Sequence, residues 1–576
     1  MKTIQDLVES FKNRYSPCLS AQALYNTIHF VEAYNIIKNL SRGFLDSGIL
    51  PGDRVMIVSK NSPEWMLTSL GLNYAGIIDV PRSEKASDSE INYIVKHSAP
   101  KLIIVDDEKT FERLKDHKNI MSFKKISGIT CFEDIKQKGK ESETEIPAVY
   151  PETVASHLYT SGTTGEPKGA ELSHENYTSN IMALMARKIV NDKDKATSVL
   201  PLWHVFERMV QYMLLAHGAE IFYSSIYDLK KDIKEQKPTL ISVVPRILDN
   251  IYSKSILSKI RQFGFVKKSL FNASIQMSAL ARRKGLNPLR LFGAAPLAVM
   301  ERIMFKKLRE ELGGRLRKVI SGGGKLPLEV ETFFFAAGIP VLEGYGLTET
   351  SPVIAVREID NNEPGTVGKP LENLKVKILD PESGKELPRG KTGVVFVKGP
   401  SVMKGYYKNA YETEKVFSDG WFDTGDLGTI RKNGNLEIKG RIKNIIVLSN
   451  GENISPERIE DTLKKSPMIS NTIVVGQDWK SLGALIEPDF EAIGEIIENF
   501  TGNLDDPEVI KKFKHEIREY VNPLTGFREF ECISAFRLLK RPLKYGKEIT
   551  ETLKVKRNVV EAEFSSEIKS LQEEIK

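Results

Sequence analysis

Tyr159-Thr160-Ser161-Gly162-Thr163-Thr164-Gly165-Glu166-Pro167-Lys168-Gly169 sets four hydroxyl side chains and three glycines beside one lysine. Hydroxyls and backbone N–H groups in such a loop can turn towards phosphate oxygens, and Lys168 adds a mobile positive charge. Residues 154–159 before it read as a strand. After Lys168 a short extended piece leads to a helix capped by Ser173, with Tyr177, Ile181, Leu184 and Met185 on one face. Thr160, Ser161, Gly162, Thr163, Thr164, Gly165 and Lys168 are therefore candidate phosphate ligands. The loop is not the Gly-Lys-Ser/Thr type that enters a helix directly, because Pro167 precedes Lys168 and Gly169 follows it. Composition alone equally allows a Ser/Gly-rich hairpin turn.

The rest of the chain adds weight to the phosphate reading. Its 576 residues, 41% hydrophobic and 28% charged, suit a soluble protein of two or more domains. Cys18, Cys131 and Cys532 lie far apart without metal-type spacing, so free thiols in a reducing compartment are expected. Residues 1–19 lack the apolar stretch of a signal peptide, and no run approaches the roughly 18 apolar residues of a membrane span. A cytoplasmic location is expected. The net charge of +7 is concentrated: residues 252–320 hold sixteen Lys/Arg against three acids, which leaves the remainder near minus six. Phe263, Phe265, Leu270, Phe271, Leu291, Phe292, Met304 and Phe305 are interleaved with that charge, a pattern suited to an anionic membrane surface or an acidic partner; a solvated helical face is the alternative. No nucleic-acid-binding module accompanies it, so nucleic acid is not expected as a partner.

Along the chain, helix-period and strand-period blocks alternate. Residues 23–44 read as an amphipathic helix, 54–59 as a strand, 63–74 as a helix with Ser62 as cap and Pro63 at its first position, and 101–106 as a strand. Such alternation implies an α/β domain with a largely parallel sheet. Residues 111–151 are polar and read as a surface excursion. Residues 199–206 read as a strand running into a bend at His204, a residue type that in isolation is more often structural than catalytic. Residues 240–245 read as a buried strand, and Val319-Ile320-Ser321-Gly322-Gly323-Gly324 as a passage from strand to helix.

Val341-Leu342-Glu343-Gly344-Tyr345-Gly346-Leu347-Thr348-Glu349-Thr350 reads as a strand opening into a Gly-rich turn that presents Tyr345, Thr348 and Glu349 together. A nucleoside triphosphate needs an aromatic face for its base, a hydroxyl on a phosphate and a carboxylate for Mg²⁺, and this turn offers all three. Residues 375–398 suggest a small β-rich subdomain. Beyond about residue 440 the pattern turns mixed, with Ser455 capping a helix, strands at 471–475 and 484–487, and a helix between 507 and 520. The expected division is 1–440 and 441–576.

Four motifs in register resemble the adenylate-forming superfamily of acyl-CoA synthetases, firefly-type luciferases and adenylation domains. They are the 159–169 loop, Gly344 to Glu349, Trp421-Phe422-Asp423-Thr424-Gly425-Asp426, and residues 440–460 beginning Gly440-Arg441-Ile442-Lys443. Pro201-Leu202-Trp203-His204-Val205-Phe206-Glu207-Arg208 and Leu553-Lys554-Val555-Lys556-Arg557-Asn558 are similar to the long-chain fatty acyl-CoA synthetase branch. The resemblance implies an N-terminal domain of doubly wound sheets with a β-rich subdomain, binding ATP and the acyl group, and a smaller α+β C-terminal domain that rotates about a hinge. It implies that Tyr345 and Gly346 flank adenine, Gly322, Gly323 and Gly324 line the adenine and acyl pocket, and Asp426 with Arg441 binds ribose. It further implies Lys443 as hinge, His204 as a gate beside the substrate carboxylate, Thr348 and Glu349 at the phosphates and Mg²⁺, and Gly451 in the strand pair of a pantetheine tunnel. Gly393-Val394 stands where much of the family has Gly-Glu. Many members place the catalytic lysine after a glycine, as in Gly546-Lys547, but the long-chain ending points to Lys554.

The implied reaction is ATP-dependent formation of a long-chain acyl-AMP with release of pyrophosphate, then transfer to the thiol of CoA. Ligation to acyl carrier protein, which would suit an acidic partner, and a non-catalytic fatty-acid-binding homologue are the alternatives.

Overall fold

The computed structural model of the chain describes residues 1–21, 27–117, 119–160, 166–252, 265–283, 305–497, 500, 502–550 and 554–575. The chain forms two compact units. The larger comprises 1–376, 396–423 and 434–436, and the smaller 377–395, 424–433 and 437–576. The architecture is a large N-terminal α/β domain with mixed sheets and a smaller C-terminal α+β domain.

Among the described residues two sheets lie wholly within the larger unit. One has the order Thr130–Cys131, Ile120–Ser122, Leu102–Val105, Arg54–Val58, Ile78–Arg82, Val154–Thr160 and Lys168–Ser173. Its pairs are parallel except the last, an antiparallel hairpin that sets Thr160 opposite Lys168. The other runs Lys369–Pro370, Val353–Val356, Val341–Gly346, Lys318–Ser321, Leu240–Val243, Lys195–Ser198, Glu220–Tyr223, Pro17–Ala21 and Ile28–His29, parallel inside and antiparallel at both edges. The inner strands Lys195–Ser198, Leu240–Val243 and Lys318–Ser321 are buried at nearly every position, as a sheet covered on both faces requires.

One helix, Val205–His217, ties the two sheets together. Eleven of its thirteen residues are buried, the mark of a helix covered all round. Towards the first sheet, Arg208 Nη1 donates to both carboxylate oxygens of Asp79, at 3.0 and 3.1 Å, and to Ser156 Oγ at 2.8 Å. Towards the second, Gln211 donates to Ser198 Oγ at 2.8 Å, and Glu207 accepts from Ser242 Oγ at 2.6 Å. Burial pushes the Glu207 carboxyl above its ordinary range against the pull of those hydroxyl and amide donors.

Helices Pro63–Tyr74, with Ser62 accepting from Trp65 N–H, and Pro507–Tyr520 match their sequence expectations. Three expectations need correction. The helix expected over 23–44 is Phe30–Asp46, because Ile28–His29 pairs with Pro17–Ala21; residues 23–26 lie outside the described residues. Residues 111–151 are not simply a surface excursion: strands Ile120–Ser122 and Thr130–Cys131 extend the first sheet, and helix Phe132–Glu141 packs on Phe30–Asp46. The strand expected over 199–206 lies instead at Lys195–Ser198, and His204 opens a helix. Within the basic segment, 253–264 and 284–304 lie outside the described residues; Phe271 and Phe305 are buried in the core and so do not face a partner. Among the described residues no helix is long and apolar enough to cross a membrane, and the three cysteines are free thiols.

The smaller unit is built on strands Ile469–Val475, Leu482–Pro488 and Ile533–Leu538, antiparallel then parallel, with the pair Ile446–Val447 and Asn453–Ile454 beside them in sequence. Helices Pro456–Leu463 and Pro507–Tyr520 cover a core that includes Ile459, Ile486 and Phe513.

Asp79 and Arg208 both have no solvent exposure. Removing one partner of such a pair typically costs about 3–5 kcal/mol because the other charge stays buried. Asp79→Ala is expected to lower the unfolding free energy of the larger unit by that order and its urea midpoint correspondingly, with Ser69→Ala, which removes only a neutral donor to Asp79, costing clearly less. Denaturation followed by circular dichroism measures both.

Candidate functional site

The carboxyl ends of the inner strands in an open α/β sheet are where ligands bind, because the loops there are not occupied by crossover packing. In the larger unit those ends gather the sequence candidates. Gly322, Gly323 and Gly324 follow strand Lys318–Ser321, whose Ser321 lies between Val243 and Glu343 in register. At position 322 a side chain would be crowded: a Cβ would stand 3.1 Å from the ring of Phe206, which would have to give way. Phe206 belongs to the helix that His204 caps, where Nδ1 accepts from Phe206 N–H at 3.2 Å. The His204 ring meets Trp203 edge to face at 5.9 Å, and Trp203 carries the Arg82 guanidinium 4.9 Å above its ring. Asn61 holds the bend before them through Leu202 N–H.

Strand Val341–Gly346 supplies Tyr345 and Gly346. Gly346 is required by close approach, since a Cβ there would lie 1.8 Å from Pro352 O. Thr348 and Glu349 stand on a single 3₁₀ turn, Thr348–Thr350, fixed by Leu347 N–H donating to Thr350 Oγ1 at 3.0 Å. Glu349 is half-buried; its Oε1 accepts from Tyr406 OH at 2.8 Å.

Ser161, Gly162, Thr163, Thr164 and Gly165 lie outside the described residues. The hairpin that carries them is described on both sides: Thr160 Oγ1 donates to Lys168 O at 3.4 Å, and Gly169 O accepts from Tyr407 N–H at 2.8 Å. Lys168 Nζ lies 5.3 Å from the centre of the Tyr406 ring and pairs with Glu412. Tyr406 therefore touches both Lys168 and Glu349.

Sequence reasoning missed Tyr406, Glu412 and a buried cluster under the Tyr345 strand. There Arg357 donates to Glu343 Oε2 at 2.7 Å and pairs with Glu331, while Glu343 Oε1 accepts from Leu326 N–H at 3.2 Å. Burial, opposed by Arg357 and aided by Glu331, pushes the Glu343 carboxyl up to about 7. The placement of Glu343 directly before Gly344-Tyr345 was the available signal.

The smaller unit gathers a second group. Asp426 is buried and pairs with Arg441 Nε at 3.0 Å. Lys443 is exposed on the 3₁₀ turn Ile442–Asn444, and Gly451, with φ of 85°, makes the turn joining Ile446–Val447 to Asn453–Ile454. Lys554 is tied to Thr550 through both of its backbone groups: Thr550 N–H donates to Lys554 O at 2.7 Å and Lys554 N–H to Thr550 Oγ1 at 2.9 Å. Arg557 anchors the segment on Val474 O at 2.6 Å and on Glu460. Lys547 is occupied elsewhere, pairing with Glu563 at 2.7 Å.

Lys554 is exposed as a residue, yet desolvation by the surrounding protein, then the Arg441 guanidinium, lower its pKa to about 8, with Asp426 opposing. The amine is thus still mostly charged at pH 7 and largely neutral by pH 9. Acetylation rates at single lysines, followed by mass spectrometry across pH 6–10, are expected to show a midpoint near 8 at Lys554. Asp426→Asn removes the opposing charge and is expected to move that midpoint down; Arg441→Gln is expected to move it up.

Comparison with known proteins agrees with this architecture. The AMP-binding enzyme family matches residues 12–407, and the AMP-binding enzyme C-terminal domain matches 443–576. The long-chain-fatty-acid–[acyl-carrier-protein] ligase AEE15, chloroplastic, of Arabidopsis thaliana is 30% identical over 99% of this chain and 86% of that protein. The long-chain-fatty-acid–CoA ligase FadD15 of Mycobacterium tuberculosis is 29% identical over 95% of this chain and 92% of its own. The ATP-bound crystal structure of MatB from Rhodopseudomonas palustris shares the fold, with a TM-score of 0.73 at 22% identity over 97% of this chain and 99% of that one. With both family domains matched in order along one chain, this protein belongs to the AMP-binding enzyme family, the adenylate-forming superfamily related to acyl-CoA synthetases.

Proposed function

We propose that this chain activates a long-chain fatty acid with ATP and transfers the acyl group to the thiol of CoA. The observation that carries the reading is the gathering of Lys168, Tyr406 and Glu349 in the larger unit, with a second cluster of Lys554, Arg441 and Asp426 in the smaller. Similarity to FadD15 and AEE15 over nearly the whole chain supports the choice of a long-chain carboxylate.

In the first step a carboxylate oxygen attacks the α-phosphorus, the bond from that phosphorus to the β-bridging oxygen breaks, and pyrophosphate leaves. Negative charge builds on the phosphoryl oxygens, so preplaced cations lower the barrier. Lys168, with Thr160 and the 161–165 hydroxyls and N–H groups, binds the phosphates, and Lys554 stabilises the charge at the reacting centre. His204 stands beside the fatty carboxylate, Tyr345 and Gly346 with Gly322, Gly323 and Gly324 hold adenine, and Asp426 with Arg441 binds the ribose. In the second step the thiol sulfur attacks the acyl carbon, the carbon–oxygen bond to AMP breaks, and AMP leaves. The domain 441–576 turns about Lys443 between the steps, bringing the Gly451 strand pair to the pantetheine arm.

Among the described residues no group of three His, Cys, Asp or Glu side chains forms a metal site. A Mg²⁺ that arrives on the triphosphate needs only one or two carboxylates, and Glu349 with Thr348 beside it suits that demand. When bound, the ion would neutralise charge on the phosphates.

A second thiol acceptor, acyl carrier protein, is favoured by the likeness to AEE15. Pyrophosphate release across carboxylates of rising length, with thioester formation on CoA and on carrier protein compared side by side, tests substrate and acceptor together; release with no fatty acid in the panel rejects the proposal.

Lys554→Ala is expected to slow acyl-AMP formation by about 10²–10³ while supplied acyl-AMP is still converted to thioester. Lys547→Ala is expected to leave both half-reactions near the parent rate. The reverse outcome assigns the first step to Lys547.

A further inference from the structure

Among the described residues Glu412 is the one carboxylate paired with the Lys168 ammonium, and nothing in the adenylation chemistry calls for it there. It stands on helix Ala410–Val416, whose N-terminus is fixed by Asn409 Oδ1 accepting from Glu412 N–H at 3.1 Å. Its Oε2 takes Lys168 Nζ and its Oε1 takes Lys415 Nζ at 2.9 Å. The Lys168 and Glu412 side chains are only 22% and 23% exposed, so their pairing is less screened than a fully surface pair. Lys168 and then Lys415 hold the Glu412 carboxyl down at about 2, and the contact persists across physiological pH.

The segment bearing Glu412 is itself locked to the hairpin of Lys168. Tyr407 N–H donates to Gly169 O at 2.8 Å, and Glu171 N–H to Gly405 O at 2.9 Å. Tyr406 N–H donates to Thr413 Oγ1 at 2.9 Å, one residue beyond Glu412. Glu412 is thereby kept in reach of Lys168 by the backbone as well as by its charge.

We propose that Glu412 is a positioning residue that retains the Lys168 ammonium in the nucleotide-free protein and must surrender it to an incoming polyphosphate. The inference rests on the reading that Lys168 binds phosphate. Two effects then oppose the polyphosphate: Lys168 leaves one anion for another, and the Glu412 carboxylate is left near like charge with only Lys415 to compensate. Both vanish when Glu412 is neutral. Neither acts on AMP, which lacks the β- and γ-phosphates that Lys168 would take. Glu412 therefore sets how strongly the site prefers the triphosphate over the released mononucleotide.

Calorimetric titration of the full chain, without fatty acid, with Mg·ATP and separately with AMP tests this. Glu412→Gln is expected to tighten Mg·ATP about fivefold, the scale of one partly exposed ion pair, and to leave AMP within twofold. Lys415→Met, which leaves Glu412 wholly to Lys168, is expected to weaken Mg·ATP and again spare AMP. Lys168→Met is the control for the underlying reading. If Lys168→Met loses Mg·ATP affinity while Glu412→Gln binds it as the parent does or more weakly, the retention role is overturned and the phosphate role of Lys168 stands. Equal changes for ATP and AMP in Glu412→Gln overturn it too, since they report a general distortion of the site. Parent-like Mg·ATP binding by Lys168→Met overturns the phosphate reading and the inference with it.

Discussion

The Arg208 guanidinium has no access to water, and the contacts of its charge and its Nη1 tie the larger unit together. Asp79 on one sheet takes its charge, Ser156 accepts from the same nitrogen, and the ring of Trp65 lies 5.1 Å away. Because Arg208 is on helix Val205–His217, the pair fixes that helix against the first sheet, while Glu207 and Gln211 fix it against the second. The N-terminus of the helix is consequently held where Phe206 meets Gly322, which follows strand Lys318–Ser321. A buried ion pair of this kind contributes little net stability compared with apolar packing; here its consequence is that two sheets and one candidate binding edge keep a single register.

Two further charge groups work at shorter range. Hairpin pairing sets Lys168 opposite Thr160 and brings residues 404–412 alongside, so that Tyr406 reaches both Lys168 and Glu349. In the smaller unit Asp426, Arg441 and Lys554 balance one another: a carboxylate favouring the charged lysine and a guanidinium disfavouring it. A lysine in that position remains a cation at neutral pH but is readily perturbed by whatever binds to Asp426 or Arg441. Catalysis by charge stabilisation draws on such preset arrays, since they need no reorganisation when the transition state forms.

Much of the fold was legible in local sequence. Ser62-Pro63 and Asp506-Pro507 announce helix starts through cap and fixed φ, and both helices begin there. The strand-loop-strand pattern around Lys168 and the strand ending at Gly346 were also written in short-range periodicity and glycine placement. What failed was long-range. Ile28–His29 carries no local signal against helix and became a strand only because Pro17–Ala21 offers it a partner. Residues 199–206 look like a strand by composition, but the bend held by Asn61 and the cap at His204 convert them to a helix start. The same limit applies to the candidate site. Motifs named the residues, yet the pairing of Lys168 with Glu412, 244 positions apart, and the cluster of Arg357 with Glu331 and Glu343 arise from tertiary packing that no periodicity encodes.

The central claim, that a fatty carboxylate becomes an acyl adenylate, is tested most directly by following its oxygen. The full chain is supplied with Mg·ATP, CoA and a long-chain fatty acid carrying oxygen-18 in both carboxylate positions, and the products are weighed by mass spectrometry. Attack of the carboxylate on the α-phosphorus followed by thiolysis at the acyl carbon predicts one heavy oxygen in AMP and none in pyrophosphate. Unlabelled AMP, or heavy oxygen in orthophosphate with ADP as the other product, would contradict the account.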